Sequence, residues 1–160
     1  MFSRLEEVSE GEPPSISAIG NGPCEGRVDR LMAMAHLPAA ARIALIGRHT
    51  LPLLLDLLKH GCAAVRCLRP GAPAPDRETA DLAWIVNVDG DEELDEALHA
   101  ARARIGIAGR IVVEGAGCAC RAGPSAIPAH AAAAGLSIVS FDHKDNRVLL
   151  AVAPRLALAA

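Results

Sequence analysis

Hydrophobic positions along the chain alternate between short apolar runs and helical repeats, with polar turns between them. The runs Ile43–Ile46 and Leu82–Val88 are typical of strands that are covered on both faces. Asp91–Arg104 predicts a helix, because its apolar residues recur every three or four positions and its acids precede its bases, as the helix dipole favours. This alternation of strand and helix indicates a parallel sheet with crossover helices.

The same pattern assigns the remaining elements. Further helices are predicted at Gly26–Leu37, Leu51–His60 and Pro128–Ala134, and further strands at Cys62–Leu68, Arg110–Val113, Leu136–Phe141 and Arg147–Ala153. The last two strands are joined by the short polar segment Asp142–Asn146, which predicts a hairpin. The sequence therefore predicts an α/β fold of three layers, Rossmann-like, whose mostly parallel sheet ends in an antiparallel β-hairpin.

The sequence predicts which of several side chains are buried in the core. Leu51–His60 has six leucines and little polar surface, so it is predicted to be a deeply buried helix. Cys62 and Cys67 are predicted to be small core residues on opposite faces of one strand. Trp84 is predicted to lie in the core or at an interface. The core must consist of Ala, Leu, Val and Ile, because 51% of the chain is hydrophobic and only 2% is aromatic.

Composition limits the class of protein. The length of 160 residues fits one domain, which we place at residues 25–160 after a flexible tail at residues 1–24 that is rich in Ser, Glu, Gly and Pro. The net charge of −3, without a basic stripe, argues against nucleic acid as a partner. No apolar run approaches the roughly 20 residues of a membrane span. Five cysteines without a regular spacing favour a reducing compartment, so the chain is predicted to be cytoplasmic.

Polar residues follow the first two predicted strands. Gly47, Arg48 and His49 come after the first strand, and Arg69 comes after the second. Because the carboxyl ends of parallel strands share one edge, these residues are predicted to lie together beside the amino end of a helix, where open α/β sheets bind ligands. Guanidinium groups at a helix N-terminus favour an anionic small molecule, although the arginines could instead pair with nearby acids such as Asp76 or Asp89.

Two segments carry a resemblance to a known family. Ala108–Glu114 is similar to a Gly-Gly-x-strand segment, and Ala134-Gly135-Leu136 precedes the terminal hairpin. With the order of elements from Arg42 to Pro154, they resemble the class I S-adenosylmethionine-dependent methyltransferase fold. The family's third strand-helix pair is missing or shrunken in Arg69–Ala80.

The resemblance implies S-adenosylmethionine as cofactor, but this chain departs from the family at the binding residues. Only Gly47 remains of the glycine-rich loop, and Arg69 stands where the family has an acid that accepts the ribose hydroxyls. We therefore expect a methyltransferase-like domain that has lost the standard cofactor contacts and acts as a non-catalytic ligand-sensing or protein-interaction module, with a homodimer or a protein partner.

The alternative is an active small-molecule methyltransferase with an atypical cofactor loop. In that case Ile46, Gly47 and His49 would flank the methionine end of the cofactor, and Arg69 the ribose. Asn87 and Asp89 would lie on the reacting side. No residue is assigned a catalytic role in the preferred interpretation.

Other chemistry is less well supported. Arg69 resembles the arginine that accepts the 2′-phosphate in NADP-dependent enzymes, but Gly-x-Gly-x-x-Gly and tyrosine are absent from the sequence. Cys118 and Cys120, with His130 downstream, lack the spacing of a zinc site and are predicted to be free thiols. Asp142 and Asp145 are predicted to serve a hairpin turn rather than, with Asp89, a divalent metal ion, so no metal site is predicted.

Overall fold

A computed structural model describes residues 26–73, 79–115 and 126–154. The elements are α1 (Arg27–Ala35), β1 (Arg42–Gly47), α2 (Leu51–Lys59), β2 (Ala64–Leu68), β3 (Ala80–Val86), α3 (Asp91–Arg104), β4 (Ile105–Glu114), α4 (Ile127–Ala133), β5 (Leu136–Asp142) and β6 (Arg147–Val152). The tail predicted at residues 1–24, together with Asp76, Cys118 and Cys120, lies outside these ranges.

The six strands form one sheet in the order β2-β1-β3-β4-β6-β5. The first four strands of that order pair in parallel, whereas β6 is antiparallel to both of its neighbours, β4 and β5. The predicted mostly parallel sheet with a closing antiparallel hairpin is therefore confirmed.

Two apolar layers cover the faces of the sheet. One contains α3 and α4, with Leu94, Leu98 and Ala131 packed on Ile85 and Ile111. The other contains α1 and α2, whose inward side chains meet the opposite face of the same strands. Trp84 is fully buried in this second layer, as one of its two predicted locations requires. The three-layer Rossmann-like α/β arrangement is confirmed.

One of the two cysteines predicted to be core residues is exposed, because it lies on the edge strand β2. Cys62 is buried, and its burial raises the pKa of the thiol above the usual value, but Cys62 precedes the strand rather than lying on it. Cys67 lies on β2 and is exposed, so the prediction that it is a core residue was wrong. The physical reason is that β2 pairs only with β1 within the described chain and has little cover on either face.

The prediction that α2 is deeply buried was also wrong. Only Leu53 and Leu57 are buried, whereas Leu51, Leu55 and Leu58 are 64%, 50% and 50% exposed. Leu53 and Leu57 face the sheet, and a helix that packs on a sheet near its edge leaves the opposite side uncovered even where that side carries leucines.

β4 begins at Ile105, five residues before the predicted strand Arg110–Val113, so Gly106–Gly109 lie within it. Ile105 pairs with Ala80 and Arg110 pairs with Leu82, so β4 carries several extra residues opposite one position of β3. A Cβ atom on Gly109 would lie 2.6 Å from the Cβ of Ile105, which explains the glycine there. The irregularity is a β-bulge that still allows the strand to continue to Glu114.

Candidate functional site

The loop after β1 is held close to the end of β3 by Gly47. This residue has φ of 144°, and a Cβ atom there would lie 1.8 Å from the carbonyl oxygen of Val86. His49 then adopts a left-handed conformation with φ of 52°. The chain therefore turns tightly from β1 towards α2, and the amino end of α2 lies beside the loop.

A cleft of about 690 Å³ opens at the carboxyl ends of β1 and β2. Its volume lies within the range of roughly 300–1,000 Å³ that small-molecule sites occupy. The structure brings four of the six sequence-predicted residues into its lining, Gly47, Arg48, His49 and Arg69, together with Glu93 of α3. Arg48, His49 and Arg69 are all exposed, so their polar groups are accessible to a ligand.

An ion pair joins the β1 loop to the first turn of α3. The Nε atom of Arg48 lies 2.9 Å from Oε1 of Glu93. The other oxygen of Glu93 accepts a hydrogen bond from the backbone N–H of Asp89, at 2.6 Å. Because Glu93 is held from two sides, it places a negative charge in a cleft that otherwise carries two guanidinium groups.

The remaining two predicted residues do not line this cleft. Asn87, with φ of 51°, donates from its side-chain amide to the carbonyl oxygen of Arg48 at 2.9 Å. Asp89 is exposed and contacts Glu93 through its backbone N–H. Asn87 instead borders a second pocket of about 300 Å³ at the ends of β3 and β4.

That second pocket contains polar residues that were not predicted from the sequence to be site residues. It is lined by Arg27, Val86, Asn87, Val88, Glu114, Gly115 and Asp145. Glu114 accepts hydrogen bonds from the Trp84 indole at 2.9 Å and from Nε of Arg27 at 3.0 Å. These contacts join residues far apart in the chain, so no local sequence pattern could have shown them.

Arg147 forms the buried part of the same network. Its side chain is 1% exposed, stacks over the Trp84 ring at 5.8 Å and lies 3.2 Å from Asp145 and 3.5 Å from Glu114. Asp145 also accepts a hydrogen bond from Arg30 at 2.7 Å. This hydrogen bond is the main reason that the pKa of Asp145 is lowered, and the charge of Arg147 adds to it. The network joins α1 to the ends of β4 and β6.

The residues considered for a metal site have other contacts. The Asp142 carboxylate accepts backbone hydrogen bonds from Lys144 and Asp145, at 3.0 Å and 3.4 Å, as a turn residue does. His130 lies on α4, with Nδ1 2.7 Å from Oδ1 of Asp95 on α3. Within residues 26–73, 79–115 and 126–154, no group of three or more acidic, histidine or cysteine side chains is arranged to hold a metal ion.

Comparison with known proteins gives similarity at the level of structure. No protein-family model matches the sequence, and neither does any curated protein. Among solved structures, the methyltransferase CcbJ from Streptomyces caelestis aligns with a TM-score of 0.59 at 13% identity, over 82% of this chain and 90% of that one. A ribosomal protein L11 methylase from Lactobacillus delbrueckii subsp. bulgaricus aligns with a TM-score of 0.58 at 14% identity, over 82% and 78%.

A third similar structure holds the cofactor. This is the S-adenosylmethionine-bound amino pentose methyltransferase CalS10 from Micromonospora echinaspora, with a TM-score of 0.52 and 17% identity over 81% of this chain and 89% of that one. These similarities establish that the chain has a class I S-adenosylmethionine-dependent methyltransferase-like fold. At identities this low they describe the fold and not the ligand.

Proposed function

We propose that this methyltransferase-like domain has lost the standard cofactor contacts and binds a small anionic ligand at the cleft in a non-catalytic, ligand-sensing role. The observation that carries the proposal is the convergence of Arg48, His49 and Arg69 on one cleft beside the amino end of α2. The two guanidinium groups and the unpaired N–H groups of a helix N-terminus both favour an anion.

The cleft fits S-adenosylmethionine poorly. Arg69 lines the cleft, and the resemblance implies an acceptor for the ribose hydroxyls at its position, whereas a guanidinium can only donate. The Arg48 side chain and its partner Glu93 lie in the cleft beyond Gly47, where the resemblance would place the methionine end of the cofactor.

The alternative is an active methyltransferase with an atypical cofactor loop. One observation favours it: the cleft volume of about 690 Å³ would suit a nucleoside-sized ligand. In this alternative the second pocket, with Asn87 and Glu114, would face the reacting side.

Calorimetric titration of the full chain separates these functions. S-adenosylmethionine and S-adenosylhomocysteine form one pair of ligands, and ATP and NADPH form an anionic pair. We expect binding of the anionic pair only, lost in Arg69→Ala and retained in Arg102→Ala. Arg102 is a matched control because it lies in the last turn of α3, away from Glu93 in the first. Micromolar binding of the first pair alone would reject the proposal and favour the enzyme.

The proposed sensor acts on another protein or on a second copy of the chain. Leu51, Leu55 and Leu58 of α2 form an exposed apolar stripe, at the i, i+4, i+7 spacing of one helix face. Exposed stripes of this kind are used in protein contacts. Sedimentation velocity of the wild type and of Leu55→Glu measures whether the stripe mediates self-association. Equal sedimentation of both as monomers would leave only a different protein as partner.

A further inference from the structure

Several contacts hold the loop after β1 against the segment that follows β3. Gly47 packs against the carbonyl oxygen of Val86, where a Cβ atom would not fit. The side-chain amide of Asn87 donates to the carbonyl oxygen of Arg48 at 2.9 Å. The Arg48 guanidinium pairs with Glu93, with 2.9 Å between Nε and Oε1. Among these contacts, the Asn87 hydrogen bond acts on the main chain of Arg48 itself.

Asn87 suits this contact by its backbone as well as by its side chain. Its φ is 51°, a left-handed conformation that most residues avoid and that asparagine adopts more readily than most. Its short side chain carries N–H donors, which a carbonyl oxygen requires, whereas an ionised aspartate of the same shape has only acceptors. The position therefore combines two separate properties, and glycine would supply only the first of them, the left-handed backbone.

Arg48 joins a fixed main chain to a side chain that can change its partner. The side chain is 60% exposed, and water and salt weaken an ion pair as open as the one with Glu93. The guanidinium can therefore exchange between Glu93 and an incoming anion. If the main chain were not held, it would have to become ordered when the anion binds, and that ordering would lower the affinity.

We propose that Asn87 is a positioning residue of the cleft, which fixes the main chain of Arg48 so that the guanidinium is held ready for an anion. The inference rests on the proposed function, because it assigns a role in binding at that cleft. Asn87 borders the second pocket and not the cleft, so it acts through Arg48 rather than by touching the ligand. In the alternative enzyme, Asn87 would face the reacting side and act independently of Arg48.

Calorimetry with ATP tests the proposal in the full chain. We expect Asn87→Gly, which keeps the left-handed backbone and removes the donor, to weaken binding about 3- to 10-fold, the effect of losing one neutral hydrogen bond. The matched control is Asn146→Gly, because Asn146 also has a left-handed φ, 49°, but lies in the turn between β5 and β6. This control should bind ATP as the wild type does. Equal affinity of Asn87→Gly and the wild type would overturn the proposal.

A double-mutant cycle separates positioning of Arg48 from a general effect on the fold. Arg48→Ala keeps the carbonyl oxygen that Asn87 contacts but removes the guanidinium, and Arg69 remains in the cleft to bind the anion. If Asn87 acts through the Arg48 side chain, adding Asn87→Gly to Arg48→Ala should change the affinity by less than about 2-fold. A loss as large as in the wild-type background would mean that Asn87 supports the fold or touches the ligand, and the proposal would be wrong.

The ligand-free chain gives a measurement that does not depend on the proposed function. In labelled protein, the Nε–H resonance of Arg48 reports its pair with Glu93, and Glu93→Ala gives the position of that resonance when the pair is absent. We expect Asn87→Gly to move the resonance towards that position, well below the unfolding temperature, and Asn146→Gly to leave it unchanged. An unmoved resonance in Asn87→Gly would overturn the positioning role. If the wild type bound neither ATP nor NADPH, the proposed function would fail, and the resonance would still decide whether Asn87 positions Arg48.

Discussion

At the scale of single residues, the charge of the cleft depends on how firmly Glu93 holds Arg48. The pair is close, at 2.9 Å, but the Arg48 side chain is 60% exposed. Exposed ion pairs contribute only about 0–1 kcal/mol, because water and salt screen them. An incoming anion could therefore take Arg48 away from Glu93 at little cost.

The substitution Glu93→Gln tests whether the cleft prefers an anionic ligand. We expect the affinity for ATP to rise about 2- to 5-fold, because the substitution removes a competing carboxylate whose pair with Arg48 is worth less than about 1 kcal/mol. Calorimetry gives the dissociation constants, and Glu92→Gln is the matched control because Glu92 does not line the cleft. Weaker ATP binding in Glu93→Gln would instead indicate that the cleft needs Glu93 to position Arg48.

Gly47 should be the glycine least tolerant of a side chain. We expect Gly47→Ala to lower the free energy of unfolding by about 2–4 kcal/mol, since the Cβ would meet the Val86 carbonyl oxygen at 1.8 Å. Gly61→Ala is the control, because Gly61 also has positive φ, 92°, but a Cβ there meets nothing within 4 Å. Urea denaturation measures both. Equal losses would mean that backbone conformation alone, and not the contact between β1 and β3, requires Gly47.

At the scale of elements, the two sides of α2 should respond differently to charge. Leu57 is fully buried and Leu55 is 50% exposed, although the two are only two positions apart. We expect Leu57→Glu to abolish cooperative unfolding, because it buries an unpaired carboxylate. Leu55→Glu should change the stability by less than about 0.5 kcal/mol. Circular dichroism during thermal unfolding distinguishes them, and a large loss in Leu55→Glu would mean that its exposed side is covered.

The contact between α1 and the start of β6 should weaken in acid. Asp145 has a lowered pKa in the folded state, chiefly through its hydrogen bond from Arg30. Its stabilisation is therefore complete above the unfolded pKa of about 3.9 and is lost as the pH falls through the lower, folded value. We expect unfolding by urea between pH 5 and pH 2.5 to show a steeper loss of stability in the wild type than in Asp145→Asn. Parallel curves would contradict a role for Asp145; the pKa of Asp81, lowered by Arg42, adds a decline common to both.

The elements that the sequence predicted well are those whose signals are local. The bounds of α3 agree at both ends, Asp91 and Arg104, because the acids, the bases and the apolar repeat all lie within the helix. The burial of α2 and of Cys67 was predicted wrongly because burial depends on which neighbours cover an element. That β2 would be an edge strand is a property of the sheet order, which the pattern along β2 does not contain.

In the candidate site, too, local sequence signals could be predicted, whereas contacts that depend on packing could not. The loop containing Gly47, Arg48 and His49 follows a strand directly, so its place at the carboxyl edge could be predicted from order alone. Glu93 lies on α3, and its pairing with Arg48 depends on how the helix packs. The Trp84–Glu114 and Arg27–Glu114 contacts join positions 30 and 87 residues apart, beyond the reach of any local pattern.

At the scale of the whole molecule, the fold is a methyltransferase-like sheet in which β2 and β3 follow each other in the chain but do not pair. Eleven residues, 69–79, join β2 to β3, and these two strands lie on opposite sides of β1. Among the strands of the described ranges, β2 pairs only with β1 and forms one edge of the sheet. Within the described residues, no helix has the length and apolar character needed to cross a membrane.

Deletion of residues 1–24 tests the proposed function at this scale. The contacts that hold α1 begin at Arg27, which pairs with Glu114 at 2.9 Å, and its inward residues Leu31 and Ala35 are buried. We therefore expect the shortened chain to keep the Tm of the full chain within about 2 °C and to bind ATP with unchanged affinity. An enzyme needs its reacting centre closed from water, and the N-terminal segment or a second subunit would have to supply that cover. If the full chain bound S-adenosylmethionine and the shortened chain did not, while both kept the same Tm, the active methyltransferase would replace the sensor as the better explanation.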